Sequence, residues 1–174
     1  LFPYTTLFRS DRLSGIVEIN GKQYFNICKD GKNWEGTVKG TFSNLTSAQT
    51  ITLETPVTAR YFKFIPLSEM HGRKWASAAE LDVSILKNIS GASQRQTVVS
   101  ADSDADNSMK LAADGNINSY WHTVHNQFYI APYPHEVHLA LSQEATVKGI
   151  RYTPRQDSEE GRIASYEVYT SKDG

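Results

Sequence analysis

The sequence has one cysteine, no long apolar run and almost no net charge, and each shortage excludes a class of protein. Cys28 alone cannot form an internal disulfide or a cysteine-rich zinc site. No stretch approaches the roughly 20 apolar residues of a transmembrane helix. The 18 basic and 19 acidic residues give a formal net charge of -1, which argues against a nucleic-acid binder that works by counterion release. A chain of 174 residues can still build one domain with a sizeable core.

Sequence signatures of catalysis are also scarce. The chain has no G-x-S-x-G, HExxH, P-loop or GxGxxG pattern. Glu159-Glu160 is a carboxylate pair, but adjacent carboxylates diverge rather than flank one glycosidic bond. The H-x-x-H spacing occurs at His122–His125 and at His135–His138. The second pair reads as a strand, where residues three apart point to opposite faces. We therefore predict neither a catalytic residue nor a zinc site.

What the sequence does contain is a series of short strand patterns. They are rich in β-branched and aromatic residues, or they alternate apolar with polar residues. The one helical turn expected is Ser108–Ala113, closed by Gly115. Short, closely spaced strands without a long amphipathic helix predict an all-β fold, an antiparallel β-sandwich. The predicted strands are Gln23–Cys28, Gln49–Glu54, Ala59–Ile65, Glu80–Leu86, His135–Leu141 and Tyr166–Tyr169.

The first ten residues, LFPYTTLFRS, look foreign to the rest of the chain. They resemble the in-frame translation of a sequencing-library adapter, a contaminant of assembled metagenomic reads. We therefore expect residues 1–10 to be a disordered artefact; the alternative is a genuine N-terminal arm. If the adapter interpretation holds, the true N-terminus is missing, and the lack of a signal peptide says nothing about location.

A four-residue pattern occurs twice, far apart in the chain. Cys28-Lys29-Asp30-Gly31 returns as Ser171-Lys172-Asp173-Gly174, and a Tyr-containing strand pattern precedes each copy. A repeat at such a distance indicates tandem domains rather than a short-period solenoid.

Longer motifs resemble a known family. Four segments, in order, are similar to the N-terminal half of a coagulation-factor (F5/8) type C, or discoidin-like, domain: Lys110–Thr123 (KLAADGNINSYWHT), Pro134–Val137 (PHEV), Gly149–Asp157 (GIRYTPRQD) and Gly161–Gly174 (GRIASYEVYTSKDG). More closely, they resemble the galactose-binding-like carbohydrate modules of bacterial glycosidases. Upstream segments resemble the C-terminal half of the same module: Lys29–Trp34, Gly40–Phe42, Ala59–Leu67 and Ala76–Val83.

The two halves stand in reverse order. We interpret residues 11–87 as the C-terminal half of one module and residues 88–174 as the N-terminal half of the next. Half a sandwich would expose an apolar face and unpaired strand edges. Module termini usually lie close together, so our hypothesis is that the halves build one circularly permuted domain, a discoidin-like jelly roll. The repeated strand, at residues 23–28 and 166–171, would then compete for one position.

The resemblance implies a structural calcium ion. Hard cations take carboxylate and carbonyl oxygens, which a tight acidic turn such as Asp114-Gly115-Asn116 can supply. The alternative is an Asp-Gly loop that only caps the helical turn. The family commonly has Thr at the position of Ser119, and either hydroxyl can bind. Carried over residue by residue, the calcium ligands are Asp114, Asn116, Ser119, Glu80 and a backbone carbonyl of Ala78 or Ala79.

The resemblance places sugar contacts at His122 and Arg155. A sugar needs an aromatic plate and a few rigid hydrogen-bonding groups. An Arg fork can span two vicinal hydroxyls, while a neutral His accepts from or donates to a third. The alternative for Arg155 is a structural salt bridge with Asp157 or Glu159.

The sequence offers several residues for the aromatic ring that would stack on the sugar. Many relatives have Trp three residues after the His, where this chain has His125. Tyr129 and Trp75 are the other candidates for contact with the sugar. Trp121 is expected in the core.

The function implied is non-catalytic binding of glycans with terminal galactose or an amino sugar. The parent protein would be a secreted or surface glycosidase with tandem modules, so other modules of the parent chain are expected neighbours. Two alternatives stay open. One is an adhesion module that binds protein or phospholipid through exposed apolar residues, for which Met109, Phe128 and Ile130 are candidates. The other is part of a glycoside hydrolase whose catalytic domain lies outside this chain.

Overall fold

A computed structural model describes residues 34–88, 96–126 and 128–174, together with the backbone of two upstream strands. Residues 1–10 and the first copy of the repeated pattern, Cys28-Lys29-Asp30-Gly31, lie outside the described residues. Within the described part, no helix is long and apolar enough to cross a membrane.

Nearly all regular structure is β-strand. A six-residue 3-10 helix, Ser108–Ala113, coincides with the predicted helical turn. The strands are β1 (Ser14–Ile19), β2 (Lys22–Ile27), β3 (Glu35–Thr41), β4 (Gln49–Glu69), β5 (Ser77–Ala78), β6 (Glu80–Asn88), β7 (Gln96–Ala101), β8 (Trp121–His122), β9 (Val137–Thr153) and β10 (Ile163–Ser171).

The main sheet interleaves strands from the two ends of the chain. Its order is β3-β10-β4-β9-β6, and β7 pairs with β9 beside β4. All of these pairings are antiparallel. A separate short ladder joins β5 to β8, and β1 pairs with β2. The predicted all-β antiparallel fold is therefore confirmed.

Two long strands shape the sandwich. The first part of β4 and the last part of β9 pair beside β6, whereas the last part of β4 and the first part of β9 lie between β10 and β7. Register shifts fall between these parts, at residues 52–57 and 59–61 of β4. Such bulges bend strands and increase their twist, so one sheet can close over a core from two sides.

The bulges also correct a prediction. Gln49–Glu54 and Ala59–Ile65 were predicted as two strands, but both belong to the single strand β4. Pro56, which lacks an N–H, falls within the first register shift, where the ladder is interrupted anyway. β4 therefore continues through the residues that the sequence predicts to separate two strands. Likewise β9 extends well beyond the predicted end at Leu141.

The core lies between the inward faces of these strands. Phe62, Phe64, Leu139 and Val137 are fully buried where β4 meets β9. Other buried members of the same cluster include Leu81, Trp121, Ile150, Tyr152, Ile163 and Val168. Tyr152 also ties three elements together, because its hydroxyl donates to the Ser77 carbonyl (3.2 Å) and accepts from the Ile163 N–H (3.1 Å). These two hydrogen bonds hold the ends of β5, β9 and β10 together.

Gly149 provides a stringent test of the β4–β9 ladder. A Cβ at this position would lie 2.1 Å from the Ile51 carbonyl oxygen, a backbone atom that cannot move aside cheaply. We expect Gly149→Ala to lower the free energy of unfolding by about 3 kcal/mol. The measurement is urea denaturation. Gly72→Ala is the control for backbone strain alone, since nothing lies within 4 Å of its added Cβ but its φ of +74° costs an alanine about 1 kcal/mol. Equal losses in the two variants would contradict the close approach.

Candidate functional site

The short β5–β8 ladder brings distant parts of the chain together. Ser77 pairs with His122 and Ala78 with Trp121. Beyond the ladder, Thr123 continues the contact: its N–H donates to the Ala76 carbonyl and its Oγ1 accepts from the Ala76 N–H, both at 3.0 Å. Trp121 is fully buried, as predicted, with its indole N–H donated to the Ser103 carbonyl. The residues flanking this ladder are therefore held in fixed positions.

A row of rings runs across the surface beside this ladder. Trp75 stacks on His125 with ring centroids 4.9 Å apart and planes at 16°. His125 meets His122 edge-on at 5.3 Å, and His122 lies 5.8 Å from Tyr120. The Arg155 guanidinium carbon stands 4.0 Å from the Tyr120 ring centroid. Four predicted contact residues thus lie together, and Tyr120 joins them.

Both histidines of the row share one hydrogen-bond acceptor. The Nδ1 atoms of His122 and His125 lie 3.2 Å and 3.0 Å from the Thr123 carbonyl oxygen. A carbonyl can only accept, so each Nδ1 carries the proton and each Nε2 of the neutral ring is an acceptor. Burial lowers the pKa of His122, against the opposing effect of its bond to Thr123. His122 therefore offers an acceptor Nε2, and Asp106 Oδ2 lies 3.8 Å from that atom.

Arg155 is held rigidly at the end of the row. Its Nε and Nη2 donate to the two carboxylate oxygens of Asp157, each at 2.8 Å. Nη2 also donates to the Tyr120 hydroxyl at 2.7 Å. The hydrogen bonds with Asp157 raise the pKa of Arg155 and lower that of Asp157. The alternative salt bridge is therefore present, and within the described contacts it leaves both Nη1 protons available as donors.

Tyr129 makes none of the described ring contacts of the row. It lines a cleft of about 390 Å³ together with Asp102, Ser103, Asp104, Val124 and residues 131–134. The cleft and the row share the loop around residues 125–130, where His125 and Ile130 form an isolated β-bridge. Asn126 braces this loop by accepting the N–H groups of Phe128 and Tyr129 at 2.9 Å each. Tyr129 could therefore contact only a ligand that extends beyond the histidines.

The apolar candidates for adhesion differ in exposure. The side chain of Phe128 is 88% exposed and that of Ile130 is 40% exposed. Met109 instead packs against the core from the 3-10 helix. Phe128 is thus by far the most exposed of the three apolar residues.

The predicted calcium residues assemble at the start of β6. Glu80 is only 3% exposed, and neither oxygen of its carboxylate has a hydrogen-bond partner. Burial first, and then the neighbouring Asp114 carboxylate, raise the pKa of Glu80 to about 7. Ala79 is buried beside it, with its N–H donated to the Thr153 carbonyl.

Asp114 organises the loop on the other side. Its two carboxylate oxygens accept from the Asn116 N–H and the Ser119 hydroxyl, both at 2.8 Å. Burial alone would raise the pKa of Asp114, but these bonds outweigh it and hold the pKa below its usual value. Asn116 contributes its backbone oxygen to Ser119 as well. The arrangement concentrates hard oxygen atoms opposite the unpartnered Glu80 carboxylate.

A metal site made of three or more acidic, His or Cys side chains is not found among the described residues. The Glu80–Asp114 site offers two carboxylates, so any cation there would need amide, hydroxyl and carbonyl oxygens as well. His135 is fully buried, with Nε2 at 3.1 Å from the Lys74 carbonyl. His138 instead contacts Glu136, and its ring lies 5.5 Å from that of Trp34. The H-x-x-H pair at residues 135–138 is therefore divided between separate environments.

Sequence reasoning missed Tyr120, whereas it gave the salt bridge between Arg155 and Asp157 as an alternative. The signal for Tyr120 was its place directly before Trp121-His122, but nothing local showed that it would meet Arg155. That contact depends on the ladders that place the end of β9 beside β8.

Fold and candidate site together define a β-sandwich binding module, with rigid aromatic, acceptor and donor groups on segments that connect strands. The sequence model of the F5/8 type C domain family matches residues 21–81 and 93–174. The chain belongs to this family, a family of non-catalytic modules of the carbohydrate-binding type.

Two curated relatives share part of the chain. A sialidase from Micromonospora viridifaciens is 41% identical over 61 residues, which is 35% of this chain and 9% of the sialidase. A galactose oxidase from Gibberella zeae is 33% identical over 87 residues, which is 49% of this chain and 13% of the oxidase. The matched stretches thus span a small fraction of each relative's length.

Proposed function

We propose that the ring row binds the terminal sugar of a glycan, of the galactose or amino-sugar type. The observation that carries the proposal is the pairing of an acceptor with a donor along one aromatic surface. His122 offers Nε2 as an acceptor, and Arg155 offers its Nη1 protons. Adjacent sugar hydroxyls can donate to the first and accept from the second.

Rigidity favours this assignment. Arg155 is fixed by Asp157 and Tyr120, and both histidines are fixed by Thr123. Groups that are already ordered lose little conformational entropy when a ligand binds. The exposed parts of the ring row would take the apolar C–H face of the sugar, with Trp75 and His125 as a composite plate.

The context of the module is part of the proposal. The names of the two relatives, a sialidase and a galactose oxidase, support a role beside a sugar-processing enzyme. A secreted or cell-surface location belongs to the same proposal. A single site of this kind binds weakly, with dissociation constants of about 1 μM to 1 mM. Neighbouring modules in one parent chain would raise the avidity through effective concentration.

Replacement of Arg155 tests the proposal. We expect Arg155→Ala to weaken the binding of methyl β-galactoside by about tenfold or more, because the donors opposite His122 are lost. The measurement is NMR titration in the presence of calcium, repeated with methyl glycosides of galactosamine and glucose. Arg151→Ala is the matched control, since Arg151 on β9 forms a surface ion pair with Asp82 on β6. Equal affinity in the two variants, or no binding of any sugar by the unaltered chain, would refute the assignment.

We propose a structural calcium ion between Glu80 and the Asp114–Ser119 loop. The residues fit such an ion because the buried Glu80 carboxylate has no hydrogen-bond partner and faces a second carboxylate. Asp114, Asn116, Ser119, Glu80 and the Ala79 carbonyl would hold it, and oxygen ligands of this kind suit calcium. The ion would neutralise the two acidic groups and fix the loop that follows the 3-10 helix.

We also propose that residues 11–87 and 88–174 are a C-terminal and an N-terminal half-module that build one permuted domain. The break between the two family matches, at residues 82–92, supports this division. So does the alternation of strands from both halves in one sheet.

Adhesion to phospholipid is the second candidate, favoured by the exposure of Phe128. If Phe128→Ala released the chain from phosphatidylserine vesicles while sugar binding was absent, this candidate would replace the first.

A further inference from the structure

The position that β10 occupies is narrowly defined. β10 lies between β3 and β4, and its inward residues are almost fully buried: Tyr166, Val168 and Thr170 are 7%, 1% and 4% exposed. A strand that occupies this position must therefore have residues that can be buried at every second position.

The turn that follows β10 adds a second requirement. The Ser171 hydroxyl accepts the N–H groups of Asp173 (3.2 Å) and Gly174 (3.0 Å) and donates to the Asp173 carboxylate (2.6 Å). Gly174 has a φ of +76°, and a Cβ there would lie 2.7 Å from the Tyr61 ring. The position therefore requires glycine three residues after the strand ends.

The sequence of β2 and the residues after it meets the glycine requirement and most of the burial requirement, the exception being Gln23 at the position of Tyr166. When Lys29-Asp30-Gly31 is aligned with Lys172-Asp173-Gly174, Phe25 and Ile27 stand at the positions of Val168 and Thr170. The same alignment puts Cys28, a side chain of similar size, at the position of Ser171. Gly31 supplies the required glycine. The backbone of β2 is meanwhile paired with β1, outside the main sheet.

We propose that the position between β3 and β4 is a strand-acceptor site with two occupants encoded in one chain, β10 and β2. In the exchanged form, β2 takes the place of β10 and Ile27 pairs with Glu35, the present partner of Thr170. Seven residues, 28–34, then connect β2 to β3, which is enough for a hairpin loop. Residues 165–171 are released.

Two opposing effects determine whether β10 or β2 occupies the position between β3 and β4. Side-chain contacts on the outer face of the sheet favour β10. Tyr169 packs with Trp34 and Ile65, and Glu167 forms an ion pair with Lys39 at 2.6 Å. Asn26 and Tyr24 stand at those two positions in β2 and cannot reproduce the contacts. The short connection to β3 favours β2, since closing a short loop costs less entropy than bringing β10 to β3 across the chain. Because β10 occupies the position in the structure, the exchanged form is the minor one.

Disulfide trapping in the full chain tests the exchange. Ile65 on β4 is the register partner of Glu167 on β10. β10 and β3 lie between β4 and the edge of the sheet that β3 forms. In a Cys28→Ser background, Tyr24→Cys/Ile65→Cys should form an intramolecular disulfide, because Tyr24 takes the place of Glu167 after exchange. Glu167→Cys/Ile65→Cys measures the resident form. Adding Val168→Ala should speed trapping of the Tyr24 pair about tenfold by weakening the resident strand.

Gln23→Cys/Ile65→Cys is the matched control for random unfolding. A shift of one residue turns the side chain to the opposite face, so exchange should trap this pair about tenfold more slowly, whereas an unfolded chain would oxidise both pairs alike. Equal rates for the two pairs overturn the proposal. So does the absence of a Tyr24–Ile65 pair disulfide under conditions that complete the Glu167 pair, or a disulfide that forms only between two chains.

Discussion

Residues 1–91, produced without the rest of the chain, should remain unfolded. In the described structure, β3 pairs with β10, β4 with β9 and β10, β5 with β8, and β6 with β9. None of the described ladders joins two of the strands β3 to β6 to each other. The fragment can form the β1–β2 hairpin or, with β2 in the position of β10, a three-stranded sheet that still lacks β9. A two-stranded hairpin is marginal in water, and the three-stranded sheet would leave its core face uncovered. We expect its circular dichroism spectrum to show no cooperative thermal transition.

The matched control is the full chain cut by a specific protease at a site introduced between Asn88 and Gln96. This nicked protein should keep its cooperative transition, because both halves are present and every described ladder can persist. Mixing the separate halves, 1–91 and 92–174, should restore the transition. A cooperative melt of either half alone would contradict the interleaved fold.

Calcium should stabilise the chain strongly, and Glu80→Gln should abolish the effect. At a calcium concentration about 100-fold above the dissociation constant, binding adds about 2.7 kcal/mol to the free energy of unfolding. For a domain of this size, that corresponds to a rise in Tm of roughly 5–10 °C. Without calcium, Glu80→Gln should melt no lower than the original chain, since the amide removes a buried carboxylate from beside Asp114.

The control for this experiment is Asp82→Asn. It makes the same change of carboxylate to amide two residues downstream, where Asp82 forms a half-exposed ion pair with Arg151 at 2.8 Å. Asp82→Asn should keep the calcium response. A calcium-induced rise that persists in Glu80→Gln, or a Tm that does not respond to calcium in the original chain, would remove the ion from this site.

The sequence predicted the fold class from strands that are strongly apolar or alternating, and it missed those whose order comes from neighbours. β3 (EGTVKGT) contains two glycines and two charged residues, and β7 (QTVVSA) is short. Strand propensity alone predicts each of them only weakly. In the structure, β3 pairs with β10 and β7 pairs with β9. Tertiary pairing overrides a weak local preference in both cases.

The candidate site shows a similar division. Family resemblance selected His122 and Arg155, because both follow recognisable motifs. The stacking of Trp75 on His125, and of Arg155 on Tyr120, joins residues far apart in sequence. Those contacts follow from the β5–β8 register and from the end of β9, which no local pattern shows. The burial of Glu80 without a hydrogen-bond partner is equally invisible in the residues around it.

The interleaved sheet also affects the order of events during synthesis. Residues 34–88 leave the ribosome before any of their described strand partners exist, since those partners lie at residues 121–171. At about 5–20 residues per second, the first strands wait several seconds for β9 and β10. During that interval the apolar residues of β4 lack their partners in the described sheet, and β2 is the one strand already made that the proposed exchange would pair with them. Folding therefore completes late in translation, and nascent chains should be held by chaperones until β10 emerges.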